Sequence, residues 1–429
     1  MNLVEKIFAR ASGRESVAAG EVVVANVDRL VMHDLSSYLT SKVYEERIGE
    51  PLPYPDRVVM VFDHHFSPPT EQQADVLNAN RAWAHKRGAQ LFDCGSGNIH
   101  HVLMRNGLAQ PGTIVVGSDS HTPVHGAVGS VAVALGNDSH AGTVMPFGKA
   151  WFKVPEVVRI EITGTPLEGT TARDVALWLV AELGEGSLIY NGIEFAGSYI
   201  ERLSFWDRWL FPVLCVDLGA KCGYVEPDDV TRRFVESLPG ARLDMLVNGD
   251  GDNITEVYRF DVSDLPPQVA CPPTVGNVKP VDEVVGSAIQ WAELGGHCGG
   301  RYEDIELAAR VLRGRRVHPD VKFNIVPCSR DVFAQAIETG LVAELHAAGA
   351  TWFPPSTGSN QTANMGAMSA GEAMISTHSR NFPGRNGSPK ASMYLSSALT
   401  VASSAVAGRI TDPRTLLAEQ HVEAEESAA

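Results

Sequence analysis

The strongest constraint on the fold is an alternation, repeated along the chain, of short β-branched segments with longer helical patterns. Residues 55–63, PDRVVMVFD, predict a buried strand, and residues 70–88 predict a helix with a threonine cap and a terminal glycine. The remaining strand patterns lie at 112–122, 157–164 and 321–329, and the remaining helical patterns at 171–184 and 329–349. Alternating strands and helices are typical of α/β folds with mostly parallel sheets, and we expect that class here.

Length and composition limit the domain organisation and the cellular setting. A chain of 429 residues is longer than one hydrophobic core usually supports, which indicates two or three domains. The proline-rich residues 262–280 predict a linker between domains. No apolar run approaches the roughly 20 residues that a bilayer requires, and Glu5 and Lys6 interrupt any N-terminal signal peptide. We therefore expect a cytoplasmic protein that does not enter a membrane.

Charge and cysteine spacing argue against two kinds of site. The formal net charge of −16 disfavours a nucleic-acid-binding surface, because binding phosphates requires a basic one. The six cysteines include no C-x-x-C pair, and their spacing matches neither a zinc site nor a ferredoxin-type site. Most of the cysteines are therefore expected to be small buried hydrophobic residues.

Five segments that follow predicted strands or precede predicted helices are rich in histidine, aspartate, glycine and serine. They are DHH at 63–65, GSGNIHH at 95–101, GSDSHTPVHGAVGSVAVALG at 117–136, LGGHCGGRYEDI at 294–305 and STHSRNFPGRNGSP at 376–389. Any one of them also fits a plain connection. Functional groups in α/β proteins collect in such loops, so five together indicate a functional site.

Three of these segments point to specific chemistry. A carboxylate beside an imidazole, as in Asp63 and His64, can orient the ring and raise its pKa, which a general acid requires. Asp119 and His121 leave a strand together, and the small residues that follow predict a closely packed helix. The segment 376–389 carries two arginines, which can grip carboxylates in bidentate fashion.

In this order, the segments resemble those of the aconitase and isopropylmalate dehydratase family, over nearly the whole chain. GSDSHTPVHGAVGS is similar to the family's DSHT signature, and SRNFPGRNGSP is similar to its NRNF-x-GR signature. LGGHCGGRYEDI stands where the family has GSCTN-x-R-x-ED, and SSAVAGRITDP resembles the end of the large subunit.

The resemblance implies a fold and a partner. It implies three α/β/α domains with mostly parallel sheets around a central cleft, at residues 1–154, 155–285 and 286–429. Independently of the resemblance, the acidic composition of the C-terminal residues predicts a disordered tail. In the isopropylmalate type, the swivelling domain of the family is a separate polypeptide, so a small partner subunit is expected.

Family roles carry over to individual residues. The resemblance implies three His–carboxylate pairs, in which His64 pairs with Asp63, His100 with Asp119, and His121 with Asp217. The family usually has glutamate at the last carboxylate position, so the side chain here is one methylene shorter. The substrate-binding residues implied in the same way are Arg380, Arg385 and Ser120.

The chain departs from the family at the positions that hold an iron–sulfur cluster. The three ligand positions fall on His297, Thr357 and Asn360, with Cys298 next to the first of them. Two asparagines expected near the cluster are Val213 and Ser379 here. Hydroxyl and amide groups are weak ligands for such a cluster, and a single cysteine cannot replace three. The sequence therefore predicts the loss of the [4Fe–4S] cluster.

Three hypotheses for the function remain. The first is a lyase or isomerase that acts on a small polycarboxylate by His/carboxylate acid–base chemistry, without a cofactor. The second is a hydro-lyase with a mononuclear Fe, Zn or Mn ion, in which His297 joins Asp119, His121 or His64 as a ligand. The third is a pseudoenzyme that binds a carboxylate ligand or a partner subunit without turnover.

Overall fold

A computed structural model describes residues 1–359 and 365–419. The chain divides into two compact units, the first formed by residues 1–164 and 186–261 and the second by residues 165–185 and those from 262 onwards. Asn360 and the predicted acidic tail lie outside the described residues. The division into three domains stays a prediction.

Strands and helices alternate along most of the described chain. The strands are β1 Val22–Asn26, β2 Arg29–His33, β3 Val58–Val61, β4 Gln90–Phe92, β5 Ile114–Gly117, β6 Val131–Ala134, β7 Lys149–Lys153, β8 Val157–Thr163, β9 Gly192–Ala196, β10 Cys222–Val225, β11 Ile254–Asp261, β12 Gln268–Ala270, β13 Val278–Pro280, β14 Trp291–Leu294, β15 Lys322–Ile325, β16 Thr351–Trp352, β17 Ala373–Ser376 and β18 Ser392–Leu395. The α-helices are α1 Leu3–Ser12, α2 Asp34–Arg47, α3 Glu71–Arg87, α4 Ile99–Arg105, α5 Asn137–Ser139, α6 Met145–Phe147, α7 Ala172–Leu183, α8 Ser198–Arg202, α9 Phe205–Arg208, α10 Asp229–Glu236, α11 Tyr302–Leu312, α12 Arg330–Glu338, α13 Leu341–Ala347 and α14 Ala398–Ala407.

The first unit is built on two parallel sheets and one antiparallel strand pair. The five-stranded sheet has the order β4-β3-β2-β5-β6, and the four-stranded sheet has the order β10-β9-β8-β11. Strands β1 and β7 form the antiparallel pair. Strands β3 and β5, on either side of the central strand β2, are buried along their whole length, as expected for parallel strands covered on both faces. Because these strands are parallel, the loops that follow them lie at the same end of the sheet, beyond the carboxyl ends of its strands.

The second unit is built on a seven-stranded sheet with the order β13-β12-β18-β17-β14-β15-β16. Its strands from β18 to β16 are parallel, whereas β12 and β13 are antiparallel to their neighbours. The predicted linker at 262–280 begins where the chain passes from the first unit to the second, but the segment is not a plain connection, because it supplies the edge strand β13 and its neighbour β12. The buried carboxylate of Asp174 explains its anchoring, since Oδ1 accepts a hydrogen bond from the Gln268 backbone N–H at 2.9 Å.

The segment after β5 is the second correction to the sequence prediction. A 3-10 helix at Thr122–Val128 and then strand β6 replace the single small-residue helix that was expected. Gly126 allows this segment to pack closely against β10, because a Cβ there would overlap the carbonyl oxygen of Gly223. The β-branched residues that follow favour a strand.

The predicted α/β class with mostly parallel sheets is confirmed. The helix predicted at 329–349 is two helices, α12 and α13, because Gly340 between them adopts a left-handed conformation with φ 80°. Across the described ranges, no helix is both long and apolar enough to cross a bilayer.

The close approach at Gly126 gives a test of the packing. We expect Gly126→Ala to lower the free energy of unfolding by about 1–3 kcal/mol, since the methyl group must displace backbone atoms of β10. The control is Gly142→Ala, which adds a methyl group in open space within a helical segment. This variant should be more stable than the parent protein, by at most about 1 kcal/mol in the free energy of unfolding. Equal denaturant midpoints for the two variants would contradict the packing argument.

Candidate active site

Three adjacent strands of the five-stranded sheet deliver polar loops to one edge of the first unit. Strands β3, β2 and β5 are neighbours and parallel, so their carboxyl ends meet. Asp34 follows β2, Asp63 and His64 follow β3, and Asp119 and His121 follow β5. This edge is where α/β proteins usually bind ligands.

The carboxylate of Asp34 fixes the turn that carries Asp63 and His64. Its Oδ1 accepts hydrogen bonds from the backbone N–H groups of Asp63 at 3.1 Å and His64 at 2.9 Å. Its Oδ2 accepts the N–H of His65 at 3.0 Å and lies 3.0 Å from the Nδ1 of the same residue. Burial alone would raise the pKa of Asp34, but these bonds and the charge of His64 outweigh it and hold the pKa far below its usual range. The carboxylate therefore stays charged.

Asp63 and His64 form the closest of the predicted pairs. The Nδ1 of His64 lies 2.8 Å from Asp63 Oδ1, and both side chains are buried. The other oxygen of Asp63 accepts the N–H of Ile99, the first residue of α4, at 2.8 Å. Burial would lower the pKa of His64, but the charge and hydrogen bond of Asp63 and the charge of Asp34 raise it to about 9. The ring is therefore a cation near neutral pH.

Asp119 brings the other two predicted histidines together. Its Oδ1 lies 3.2 Å from the Nε2 of His100 and 3.3 Å from the Nδ1 of His121, and it accepts the N–H of His121 at 2.7 Å. The other ring nitrogen of His100, Nδ1, lies 3.4 Å from the Nε2 of His125. Burial and the nearby charge of His100 hold the pKa of His125 well below its usual value. A neutral imidazole therefore borders this carboxylate network.

His33, the last residue of β2, completes the group around His64. The two rings are 4.4 Å apart between centroids, and burial followed by the charge of His64 lowers the pKa of His33. Donor atoms of His33, Asp34 and His64 all lie within 4.8 Å of one another, so these residues could hold a metal ion. Such an ion would compete with the peptide N–H groups that Asp34 already binds.

Asp217 and Ser120 lie on neighbouring parts of the first unit. Asp217 is half-buried at the end of the 3-10 helix Pro212–Val216. That helix packs against the 3-10 helix Thr122–Val128, which begins directly after His121. The half-buried Ser120 has its Oγ 3.4 Å from the Nδ1 of His121. The pairing of His121 with Asp217 stays a prediction.

In the second unit, the two predicted substrate arginines lie in the loop that follows β17. Arg385 is buried, with its guanidinium 5.4 Å from the centroid of the exposed Phe382 ring. Arg380 is half-buried. The loop is tied down beside it, because Arg173 Nη2 donates to the carbonyl oxygen of His378 at 2.6 Å. Their binding of a substrate stays a prediction.

The described positions at which the family holds its cluster are buried and carry nitrogen and oxygen donors. His297 is buried, with its Nδ1 3.4 Å from the Oγ of Ser379, and Thr357 is buried as well. Cys298, which follows His297 in the sequence, is buried, and Val213 is buried in its 3-10 helix. An imidazole and a hydroxyl group do not match the thiolates that a [4Fe–4S] cluster requires.

Three residues of these networks were missed in the sequence: His33, Asp34 and His125. Asp34 carried a usable signal, since it follows an apolar strand, as the recognised Asp63 does. Two further buried residues were missed in the second unit, Glu293 and His378, whose Oε1 and Nε2 lie 2.7 Å apart. Glu293 is a charged residue within the otherwise apolar strand β14, which marks a buried polar contact. The contact partners of His125 and His378 are distant in the sequence, so no local pattern indicated them.

The raised pKa of His64 can be measured. A histidine NMR titration should give His64 a midpoint at about pH 9, because Asp63 stabilises the charged ring. Since this pKa exceeds the ordinary 6.5, the pair stabilises the fold fully below about pH 6.5 and loses that contribution as pH rises through 9. Asp63→Asn should lower the midpoint. His140, whose pKa burial lowers to about 4, serves as the internal reference. A midpoint near 6.5 in the parent protein would contradict this assignment.

Comparison with known proteins gives the family. The chain matches the model of the Aconitase family (aconitate hydratase) over residues 5–294 and 282–408. It is 40% identical over 417 residues to the 3-isopropylmalate dehydratase large subunit 1 of Methanopyrus kandleri, covering 97% of this chain and 99% of that protein. It is 39% identical to the probable methanogen homoaconitase large subunit of Methanothermobacter thermautotrophicus, covering 96% and 98% of the two chains.

A solved structure gives the same answer for the fold. Aconitase X of Thermococcus kodakaraensis superposes with a TM-score of 0.52 at 13% identity, over 92% of this chain and 90% of that one. The sequence matches and the fold agree with the resemblance that the five polar segments indicated. The chain is therefore a member of the aconitase family, an enzyme of the lyase type.

Proposed function

We propose that this chain is the large subunit of an aconitase-family lyase or isomerase that acts on a small polycarboxylate. Its chemistry is acid–base catalysis by histidines and carboxylates, and it works without a [4Fe–4S] cluster. The observation that carries this proposal is the contrast between the two sets of residues. The His–carboxylate pairs of the first unit are close and buried, whereas the cluster positions 297 and 357 lack thiols.

The pairs supply a candidate acid and a candidate base, as acid–base catalysis requires. His64 is charged near neutral pH, and its Nδ1 is occupied by Asp63, so it donates a proton from Nε2. The His100–Asp119–His121 network accepts a proton from the carbon next to a substrate carboxylate. A proton that returns to another carbon gives isomerisation, and one that goes to a leaving hydroxyl group gives elimination with release of water.

The substrate class follows from the arginines and the relatives. Arg380 and Arg385 suit carboxylates, because a guanidinium binds a carboxylate through two parallel hydrogen bonds. The relatives are named for isopropylmalate and for the homoaconitase reaction, which points to hydroxy acids with two or three carboxylates. Since those relatives are named large subunits, we also propose a small partner subunit.

Loss of the cluster limits the reactions that the proposed active site can catalyse. In the family, the cluster's open iron acts as a Lewis acid towards the substrate's hydroxyl and carboxylate groups. Without it, the activation free energy for expelling hydroxide from an unactivated carbon rises by several kcal/mol. The proposed reaction therefore relies on proton donation by a cationic imidazole, or uses a better leaving group than hydroxide.

The metal content tests the cluster-free part of the proposal. Protein purified under anaerobic conditions should show no broad absorbance near 400 nm and no acid-labile sulfide, because the donor set lacks thiolates. Elemental analysis on the same sample separates the alternatives. About four iron and four sulfide per chain would refute the cluster-free proposal. One Fe, Zn or Mn per chain would instead support the mononuclear hydro-lyase with His297 as a ligand.

Deuterium exchange from solvent tests the acid–base part. The parent protein, with its small subunit, should exchange a C–H proton in at least one member of a panel of hydroxy polycarboxylates. His100→Asn or His121→Asn should slow that exchange by about a hundred- to ten-thousand-fold, the usual cost of removing a general acid or base. His85→Asn, at an exposed position on α3, should leave the rate unchanged.

Two outcomes would contradict that prediction. Exchange that survives both active-site substitutions would show that other residues carry the proton. Binding without exchange in the parent protein would support the pseudoenzyme instead.

A further inference from the structure

A second buried carboxylate, Glu293, lies in the second unit at the carboxyl end of β14. This strand has the parallel neighbours β15 and β17, and Glu293 has no solvent exposure. Its Oε1 lies 2.7 Å from the Nε2 of His378, in the loop after β17, and accepts the backbone N–H of Ser359 at 2.9 Å. One carboxylate thus joins its own strand to two other segments, 356–359 and 377–380.

The loop after β17 is tied to the loop after β14 at three successive residues. Thr377 Oγ1 accepts the N–H of Gly295 at 2.9 Å, and the Thr377 N–H donates to the carbonyl oxygen of Glu293 at 3.1 Å. His378 makes the contact with the carboxylate, and the Oγ of Ser379 lies 3.4 Å from the Nδ1 of His297. Arg380 is the next residue, so these hydrogen bonds and contacts fix the position of the backbone directly before it.

The backbone of segment 356–359 lies directly against the carboxylate of Glu293. A Cβ on Gly358 would overlap the Oε1 of Glu293, and the residue has a left-handed φ of 82°. Only glycine meets both conditions without strain. The approach lets the next residue, Ser359, direct its N–H at the carboxylate.

The charge state of Glu293 agrees with this role. Burial would raise the pKa of the Glu293 carboxyl, but the charge and hydrogen bond of His378 and the N–H of Ser359 lower it below its usual value. A charged, fully buried carboxylate is tolerated only when paired and hydrogen-bonded. Removal of the carboxylate alone therefore takes away the partner of the Ser359 N–H and of the His378 ring.

We infer that Glu293 and His378 are a positioning pair that holds together the loops between which the family places its cluster, and so orients Arg380. Positions 297 and 357, which the family resemblance identifies as ligand positions, lie on two of the joined segments. The pair does by hydrogen bonds and charge what thiolate ligands from the same two segments would do covalently. This inference rests on the proposed cluster-free function. It assigns no contact with substrate to either residue.

The test measures local exchange and ligand affinity in the same variants. Glu293→Gln keeps the shape and removes the charge, and Glu293→Leu removes the acceptor as well. We expect amide hydrogen exchange at Ser359 to rise about ten- to hundredfold in Glu293→Leu, and less in Glu293→Gln. His378→Ser should raise exchange in residues 377–380. A merely structural effect would not be confined to these segments.

Tricarballylate, an unreactive tricarboxylate, serves as the probe of Arg380. Its dissociation constant, measured by titration calorimetry, should rise about tenfold in Glu293→Gln, because an arginine held less firmly must be ordered on binding. Arg380→Lys should weaken binding at least as much. The matched control is Glu194→Gln, which alters a buried strand glutamate in the first unit bonded to Arg159 and Tyr224. It should lower global stability and leave both local readouts unchanged.

Each further outcome decides between the two proposals. A parent protein with an iron–sulfur chromophore would overturn the proposed cluster-free function, and the inference with it. A cluster-free parent whose Glu293 variants show unchanged exchange and unchanged affinity would overturn the inference alone. Changed exchange with unchanged affinity, or a parent that does not bind tricarballylate, would overturn the orientation of Arg380. If Glu293→Leu does not fold, Glu293→Gln decides.

Discussion

Asp34 has no solvent-exposed surface, yet its carboxylate is charged, so the protein must supply the hydrogen bonds that water would have made. It does so with the peptide N–H groups of Asp63, His64 and His65. A buried charge therefore defines the backbone of the turn that presents the acid–base pair. Together with the larger effect of Asp63, this charge also raises the pKa of His64. Asp34 therefore affects both the backbone geometry and the proton affinity of the loops at the carboxyl ends of these strands.

In the second unit, the buried carboxylate of Glu293 has a role similar to that of Asp34. Glu293 also binds a backbone N–H and an imidazole while fully buried. Replacing either partner would leave an uncompensated charge, which is far more costly than replacing the pair. Asp34 and Glu293 thus make their loops depend on long-range contacts, which short connections between strands and helices could not provide by themselves.

The sequence predicted the fold class and the strand-terminal loops, because both depend on local patterns. The strand at 55–63 and the helix at 70–88 follow from apolar runs and caps. Strands β12 and β13 within 262–280 were missed, because proline-rich strands at the edge of a sheet and linkers have similar composition. Asp34 was missed for another reason. Its partners lie about thirty residues away, and the register of parallel strands that brings them together is a property of the whole sheet.

The same physical rule sets the charge state of both buried histidine–carboxylate contacts. Against the effect of burial, the charge and hydrogen bond of Asp63, followed by the charge of Asp34, raise the pKa of His64. In the second unit, again against the effect of burial, the charge and hydrogen bond of His378 lower the pKa of Glu293. Because such contributions act over a few ångströms, each depends on the partner that the fold holds beside it. The charge state of a buried group at either site is therefore a property of its immediate neighbours rather than of its position in the sequence.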